Sequence, residues 1–386
     1  MRNLKVFKKT SLLAVILFFT LTATLVYSGY HHMGEKDLSR FLKVYPDKKN
    51  TKLDSCALCH TGGQYFKRSG ASISFGSCQW CHYRYGYDKS GDITATLNSY
   101  GKDYLSHGRN EKAITNINAI DSDGDTFTNQ AEIESKRFPG NREDDPDKKI
   151  APFRVYTMKQ LKSLPRHTQF LLMNSNKSGD FYAEYTGVAL DVLLRDAGII
   201  KDATGIYVYS PDGWSQYYPL EYDPDSSLYQ VFGTYPSAVF QYNLQADKAH
   251  GGWCDYSAPS CSGRANNDKI TVPGGLKLTL AYERNGKKLH PGLLDISNKL
   301  DGEGPYRIIV PQKNPGPPDQ SSKASNQNVI WPYHSSWDHN TGASSRSVAI
   351  IKVAPLPEGT TDIDLLEAGC SYVEQGKIII YGAIIK

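Results

Sequence analysis

Cys56-Ala57-Leu58-Cys59-His60 and Cys78-Gln79-Trp80-Cys81-His82 repeat one arrangement, two thiols three positions apart with an imidazole directly behind them. Such thiols can each add to a vinyl group of the same haem, and the following histidine is then held under the iron as an axial ligand. A zinc site would use the cysteines but gives no reason for a histidine at the same offset twice. A redox dithiol wants a βαβ setting that this Gly- and Tyr-rich stretch lacks. Both motifs fall within 27 residues, so the two attachment points are near neighbours along the chain. The expectation is two covalently attached haem c groups, tethered by Cys56, Cys59, Cys78 and Cys81, with His60 and His82 as proximal ligands.

The far face of each iron needs its own donor. His31 and His32 lie just inside the expected mature terminus, and His107 follows a predicted helix over 97–105. These three are the candidate distal ligands. Met33 alone cannot serve two irons, so bis-histidine ligation, which lowers the potential, is favoured over His/Met. A five-coordinate iron open to a small ligand remains an alternative. His334 and His339 sit among aromatics in 331–340, a pattern more typical of a structured surface loop than of a metal site.

A second constellation follows. Asp121, Asp123, Asp125, Asn129 and Glu132 occupy positions 1, 3, 5, 9 and 12 of an acidic loop, with the carbonyl of Phe127 at position 7. Hard oxygens at alternate positions before a helix, here expected over 130–136, are the ligand set of Ca2+. The departure is Thr126, where a left-handed turn would want Gly; Gly124 falls two positions early. The segment resembles the single acidic calcium loops of thrombospondin-type repeats.

What must position these groups is spread over 386 residues, enough for two or three domains at ~100–200 residues each. Residues 1–28 read as a secretory signal peptide, with Arg2, Lys5, Lys8 and Lys9 ahead of an uncharged apolar run and small residues up to Ser28. The run is short for a spanning helix, so membrane contact is expected only if the segment is retained. Those four cations account for the whole formal charge of +4, and a chain of no basic excess is a poor nucleic-acid binder. Residues 29–114 are expected to be a small α/coil domain stapled by its haems, since Gly62, Gly63, Gly70 and Gly76 leave few core side chains. Residues 115–150 carry the calcium loop and a charged linker, 141–149. By its two motifs the first domain resembles multihaem c-type cytochromes.

Residues 151–386 are expected to be a mixed α/β, β-rich domain. Leu190, Leu193, Leu194 and Ala197 give a helix ended by Gly198, and β-type runs fall at 206–209, 276–282, 307–310, 348–353 and 377–381. Tyr185-Thr186-Gly187-Val188, Ser210-Pro211-Asp212-Gly213, Leu280–Leu289 and Gly304–Pro311 are together similar to the molybdopterin-binding domain of the sulfite oxidase family. In that family a metal-binding cysteine precedes the helix begun by Tyr-Thr-Gly-Val. Here that stretch, Phe170 to Gly179, has none, so molybdopterin is not expected. Cys254 and Cys261 are expected to form a disulfide, leaving Cys370 over. The resemblances imply an exported electron-transfer protein, periplasmic or extracellular, exchanging single electrons with redox partners of the bacterial cell envelope, with the C-terminal module as an empty docking surface. The alternative is a molybdenum-dependent oxidoreductase passing substrate electrons to its own haems.

Overall fold

The computed structural model describes residues 36–49, 51–66, 72–86, 90–211, 215–223, 226, 228–291, 301–320, 331–364 and 376–385. The expected signal segment, His31, His32, Cys370 and the side chain of Cys78 lie outside the described residues. Among those described, no helix is long and apolar enough to cross a membrane.

The first unit holds α1 (Lys36–Val44), a hairpin of β1 (Gly63–Phe66) and β2 (Ser72–Phe75), α2 (Ser77–Tyr85), α3 (Ser99–Ser106), α4 (Glu111–Asn116) and α5 (Asn129–Glu134). Asn98, Asn110 and Thr128 start the last three, each accepting a backbone N–H of the first turn. The Asn98 cap is why α3 begins later than the expected 97–105; Ile93–Thr96 forms a separate 3-10 turn before it. One core joins Leu38 and Phe41 of α1, Leu58 of the first motif, Ile114 of α4 and Ile133 of α5. The expected boundary after residue 114 therefore falls inside a packed unit. The short helices α4 and α5 flank the acidic loop, and each buries its apolar face in the core it shares with the first motif.

The second unit runs β3 (Lys149–Ile150), β4 (Phe153–Thr157), α6 (Met158–Ser163), β5 (Arg166–Met173), β6 (Asp180–Ala189), α7 (Leu190–Ala197), β7 (Gly205–Tyr209), β8 (Ser215–Pro219), β9 (Val239–Phe240) and α8 (Leu244–Ala249). It continues through β10 (Cys254–Asp255), β11 (Asp268–Lys269), β12 (Thr279–Arg284), β13 (Lys287–Lys288), β14 (Arg307–Ile309), β15 (Ile350–Ala354), β16 (Thr360–Thr361) and β17 (Lys377–Gly382). One sheet is centred on β6 and β12: β5 flanks β6 on one side, β10 pairs parallel with its start, and β13 and β14 pair with β12. The other has the order β4-β17-β15-β7-β8, antiparallel except for β15 with β17.

Alternation explains how the second sheet sits. Ile206, Val208, Ile351, Val353, Ile378 and Ile380 enter the main core with the first sheet. Tyr209, Ile350, Ile379 and Tyr381, on the opposite face, form a second cluster. A sheet covered on both faces wants continuous apolar runs, and Ile378-Ile379-Ile380-Tyr381 is one. Helix α7 ends at left-handed Gly198 as expected, and Asn285-Gly286, both at positive φ, turn β12 into β13.

Three expectations change. Tyr185-Thr186-Gly187-Val188 is the end of strand β6, not the start of a helix; a Cβ at Gly187 would lie 2.0 Å from the Leu280 carbonyl oxygen, so Gly lets β12 approach. Cys254 and Cys261 are free thiols buried in the main core. Burial and nearby Asp180 push the Cys254 thiol far up, and burial lifts Cys261 to about 11. The charged segment 141–149 is no loose linker. Asp144 is buried against Lys52 at 2.7 Å and accepts the Thr361 hydroxyl, while Arg137 donates to the carbonyls of Asp145 and Lys148. β3 then pairs with β16 inside the second unit, and the Lys136–Asp364 ion pair (2.7 Å) ties the two units.

Candidate functional site

The first motif is a tight turn. Residues Cys56–Leu58 form a 3-10 turn, and the N–H groups of Cys59 and His60 both donate to the Cys56 carbonyl, at 3.2 and 2.9 Å. A spacing of three in such a turn brings two side chains to one side. Asn98 stitches this turn to α3: its Nδ2 donates to the Leu58 carbonyl at 3.0 Å and its backbone N–H to the Cys59 carbonyl at 2.9 Å. A Cβ at Gly101 would stand 2.3 Å from that same Cys59 oxygen, so only Gly admits the approach.

His60 is fixed in both orientation and tautomer. The Thr96 hydroxyl donates to the Ile93 carbonyl at 2.8 Å, so its oxygen accepts from His60 Nδ1–H, also at 2.8 Å. The proton sits on Nδ1, and Nε2 keeps its lone pair for a metal. Burial lowers the imidazole to about 4, which keeps it neutral as a ligand must be.

The second motif lies in α2, where positions 78 and 81 share a face and His82 follows. Trp80 packs on Gly63, where a Cβ would come within 2.3 Å of the indole, tying α2 to β1. Helix α2 also packs on the turns of residues 56–58 and 93–96. The result is one cleft of about 770 Å³ onto which Cys56, Cys59, His60, Cys81 and His82 all open. That is within the ~300–1,000 Å³ of ordinary ligand clefts. Leu58, Ile93, Leu97 and Ile114 give it apolar walls.

His107 is not part of this cleft. It caps the end of α3, exposed, with Nδ1 hydrogen-bonded at 2.8 Å to the Asp103 carbonyl. Lys36 does line it, four residues after His32. The rim carries a cluster that sequence reasoning did not single out. Asp37 accepts from Arg109 (2.6 Å), Arg40 (3.0 Å) and the Tyr104 hydroxyl (2.9 Å). Burial alone would raise the Asp37 carboxyl, but these donors outweigh it and hold it below its usual range. Nothing local in the sequence links Asp37 with Arg109 or His60 with Thr96; only the helix expected over 97–105 pointed to this part of the site.

The acidic loop brings Asp121, Asp123 and Asp125 together, with a carboxylate oxygen from each within 4.8 Å of the others. Asp121 accepts the N–H groups of Gly124 (2.7 Å) and Thr126 (2.8 Å); burial opposes its charge, but these donors hold it below the usual range. Asp123 is raised to about 6 by burial and by Asp125 and Asp121. Glu132 is fully buried, both of its oxygens lack a hydrogen-bond partner among the described residues, and burial with the neighbouring aspartates lifts it to about 9. Three clustered carboxylates with a buried fourth, Glu132, in their field, and no cation among the described side chains, suit a hard divalent ion. Asn129, expected as a ligand, also has a structural part. Its Nδ2 donates to the Ile117 carbonyl at 2.8 Å and its Oδ1 accepts the Ser122 N–H, so it braces the loop. Phe127 enters through its N–H, which donates to Asp125 at 2.8 Å. Thr126 adopts φ 88°, the left-handed turn for which a β-branched residue is poorly suited.

In the second unit the Met173–Ser175 stretch ends β5 in a buried polar network. Asn174 Nδ2 donates to Asp319 at 2.9 Å, and Asp180 accepts the N–H groups of Ser175 (2.7 Å) and Asp319 (2.9 Å). His339 contacts Asp319 at 3.3 Å and stacks on Tyr333, so the aromatic cluster of 331–340 packs onto this network. Comparisons with family models, curated proteins and solved structures give no match for the chain.

Proposed function

We propose that the protein is an exported dihaem c-type cytochrome that moves electrons singly between redox partners of the bacterial cell envelope, with Ca2+ bracing its haem unit. The observation that carries this reading is the single cleft shared by Cys56, Cys59, His60, Cys81 and His82. Bound haem would supply a reversible one-electron couple; the chain supplies attachment, orientation and dryness. Cys56, Cys59, Cys78 and Cys81 would tether the groups, His60 and His82 would stand beneath the irons, and the apolar walls would keep water from them. The Thr96 bond favours His60 with Nε2 as ligand. Lys36 on the cleft supports His31 or His32, just before it, as distal ligands, while the exposed setting of His107 does not support that role. Asp121, Asp123, Asp125 and Glu132 would hold the calcium. The second unit, similar in sequence to the sulfite oxidase molybdopterin domain, would serve as a docking module.

The test is elemental and mass analysis of protein made with a working haem-maturation system and molybdate in the medium. Two irons and one calcium per chain with no molybdenum are expected. Absence of iron would overturn the reading; one molybdenum per chain would replace it with the oxidoreductase alternative.

A further inference from the structure

The wall of the cleft formed by α1 and α3 has charge and hydrogen-bonding capacity left over. Lys36, Arg40 and Arg109 line it, with Asp37 the one carboxylate among the described lining residues. Arg109 is held there at φ 52°, uncommon for a residue other than glycine, and its carbonyl accepts from Arg40 at 2.8 Å. One turn apart on α3, Tyr104 and Tyr100 face the same cleft. Tyr104 donates to Asp37. Tyr100 is 1% exposed, and its hydroxyl has no hydrogen-bond partner among the described residues. Burial raises the phenol well above its ordinary range, so it stays a donor. A phenylalanine would pack beside Phe41 and Leu58 equally well without an unsatisfied hydroxyl. The surplus cations and the lone donor both ask the occupant of the cleft for an anionic oxygen acceptor.

We infer that this wall receives a carboxylate of the haem attached at Cys56 and Cys59, with Tyr100 donating its phenolic hydrogen and Arg109 and Arg40 supplying counter-charge. The inference rests on the haem reading above. Neutralising a carboxylate beside the iron removes negative charge that favours the ferric state, so the wall raises the potential of that haem. Tyr100 and Arg109 are positioning residues, acting through the haem periphery.

Potentiometric titration of the holoprotein, Tyr100→Phe and Arg109→Gln, with haem content measured in parallel, tests this. Tyr100→Phe should shift the one-electron equilibrium of one haem about tenfold toward the ferric form, a fall of about 59 mV. The half-exposed Arg109 should give a smaller, several-fold shift in the same direction. The other haem should stay unchanged, and the carboxylate bending bands in resonance Raman should move in both variants. Unchanged potentials and bands at full haem content would overturn the inference while leaving the haem reading intact. Equal shifts of both haems with lowered thermal stability would also overturn it, marking Tyr100 as mere packing. A wild-type protein without haem would instead remove the premise.

Discussion

In the first unit eleven buried apolar side chains make the core and six of them line a cleft of about 770 Å³; in the second, forty-four make the main core, among the described residues. Their unsatisfied polar groups differ in the same sense. In the first, Asp54 Oδ1 apart, they gather where an occupant would sit, at Tyr100 on the cleft and at Asp123, Asp125 and Glu132 in the acidic loop. In the second they are scattered, some of them single atoms of side chains bonded elsewhere, such as Asn174 Oδ1 and Arg307 Nε, others the hydroxyls of Thr341 and Ser347. A small unit built around an opening needs covalent or ionic staples, whereas a two-sheet core closes on itself.

The comparison breaks most sharply at the first motif. Cys56→Ala with Cys59→Ala should lower the mass by one haem and strip hydrogen-exchange protection from α1, α3 and α4, leaving β6, β12 and β15 protected. Equal loss in both units would mean that they fold as one. Next in size is the buried pair between them. Lys52→Met alone should cost about 3–5 kcal/mol in urea unfolding by leaving buried Asp144 only the more distant Arg137, at 3.8 Å, as a cation, and Asp144→Leu added to it should restore most of that. If the double variant is no better than the single one, the Lys52–Asp144 pair does not hold the interface.

Calcium should act on one unit only. At a hundredfold excess over its dissociation constant it should stabilise the first unit by about 2.7 kcal/mol, and chelation should return that amount. Glu132→Gln should weaken this response and raise the stability of the calcium-free protein, since it removes a buried carboxylate with no partner. A melting curve indifferent to chelator would sink the calcium assignment. The smallest expected effect is at Thr126. Replacing it with Gly should relieve φ 88° and stabilise the loop by about 1 kcal/mol with its calcium affinity kept, read from unfolding midpoints at saturating calcium. A loss of stability would mean that the threonine side chain holds the turn.

Legibility followed the range of the interactions. Strands at 206–209, 307–310 and 377–381 fall within a residue of observed strands, and helix α7 with its Gly198 stop matches, because alternation, periodicity and glycine φ are local properties. Tyr185–Val188, helical by the family resemblance alone, is strand because β12 pairs beside it, a contact no local pattern reports. The linker was misread because Asp144 and Arg137 look solvated until Lys52, 92 residues from Asp144, is brought against them.

The sequence by itself determined the chemistry on offer: thiols, imidazoles and carboxylates at spacings that only a few ligands match. Those spacings are covalent facts of a short stretch of chain, and folding does not change them. Only the tertiary structure decided that the two Cys-x-x-Cys-His motifs open on one cleft, that Thr96 fixes the tautomer of His60, and that Glu132 is buried without a hydrogen-bond partner among the described residues. Each depends on segments separated in sequence meeting in one core, and burial, charge and hydrogen-bond satisfaction exist only once they have met.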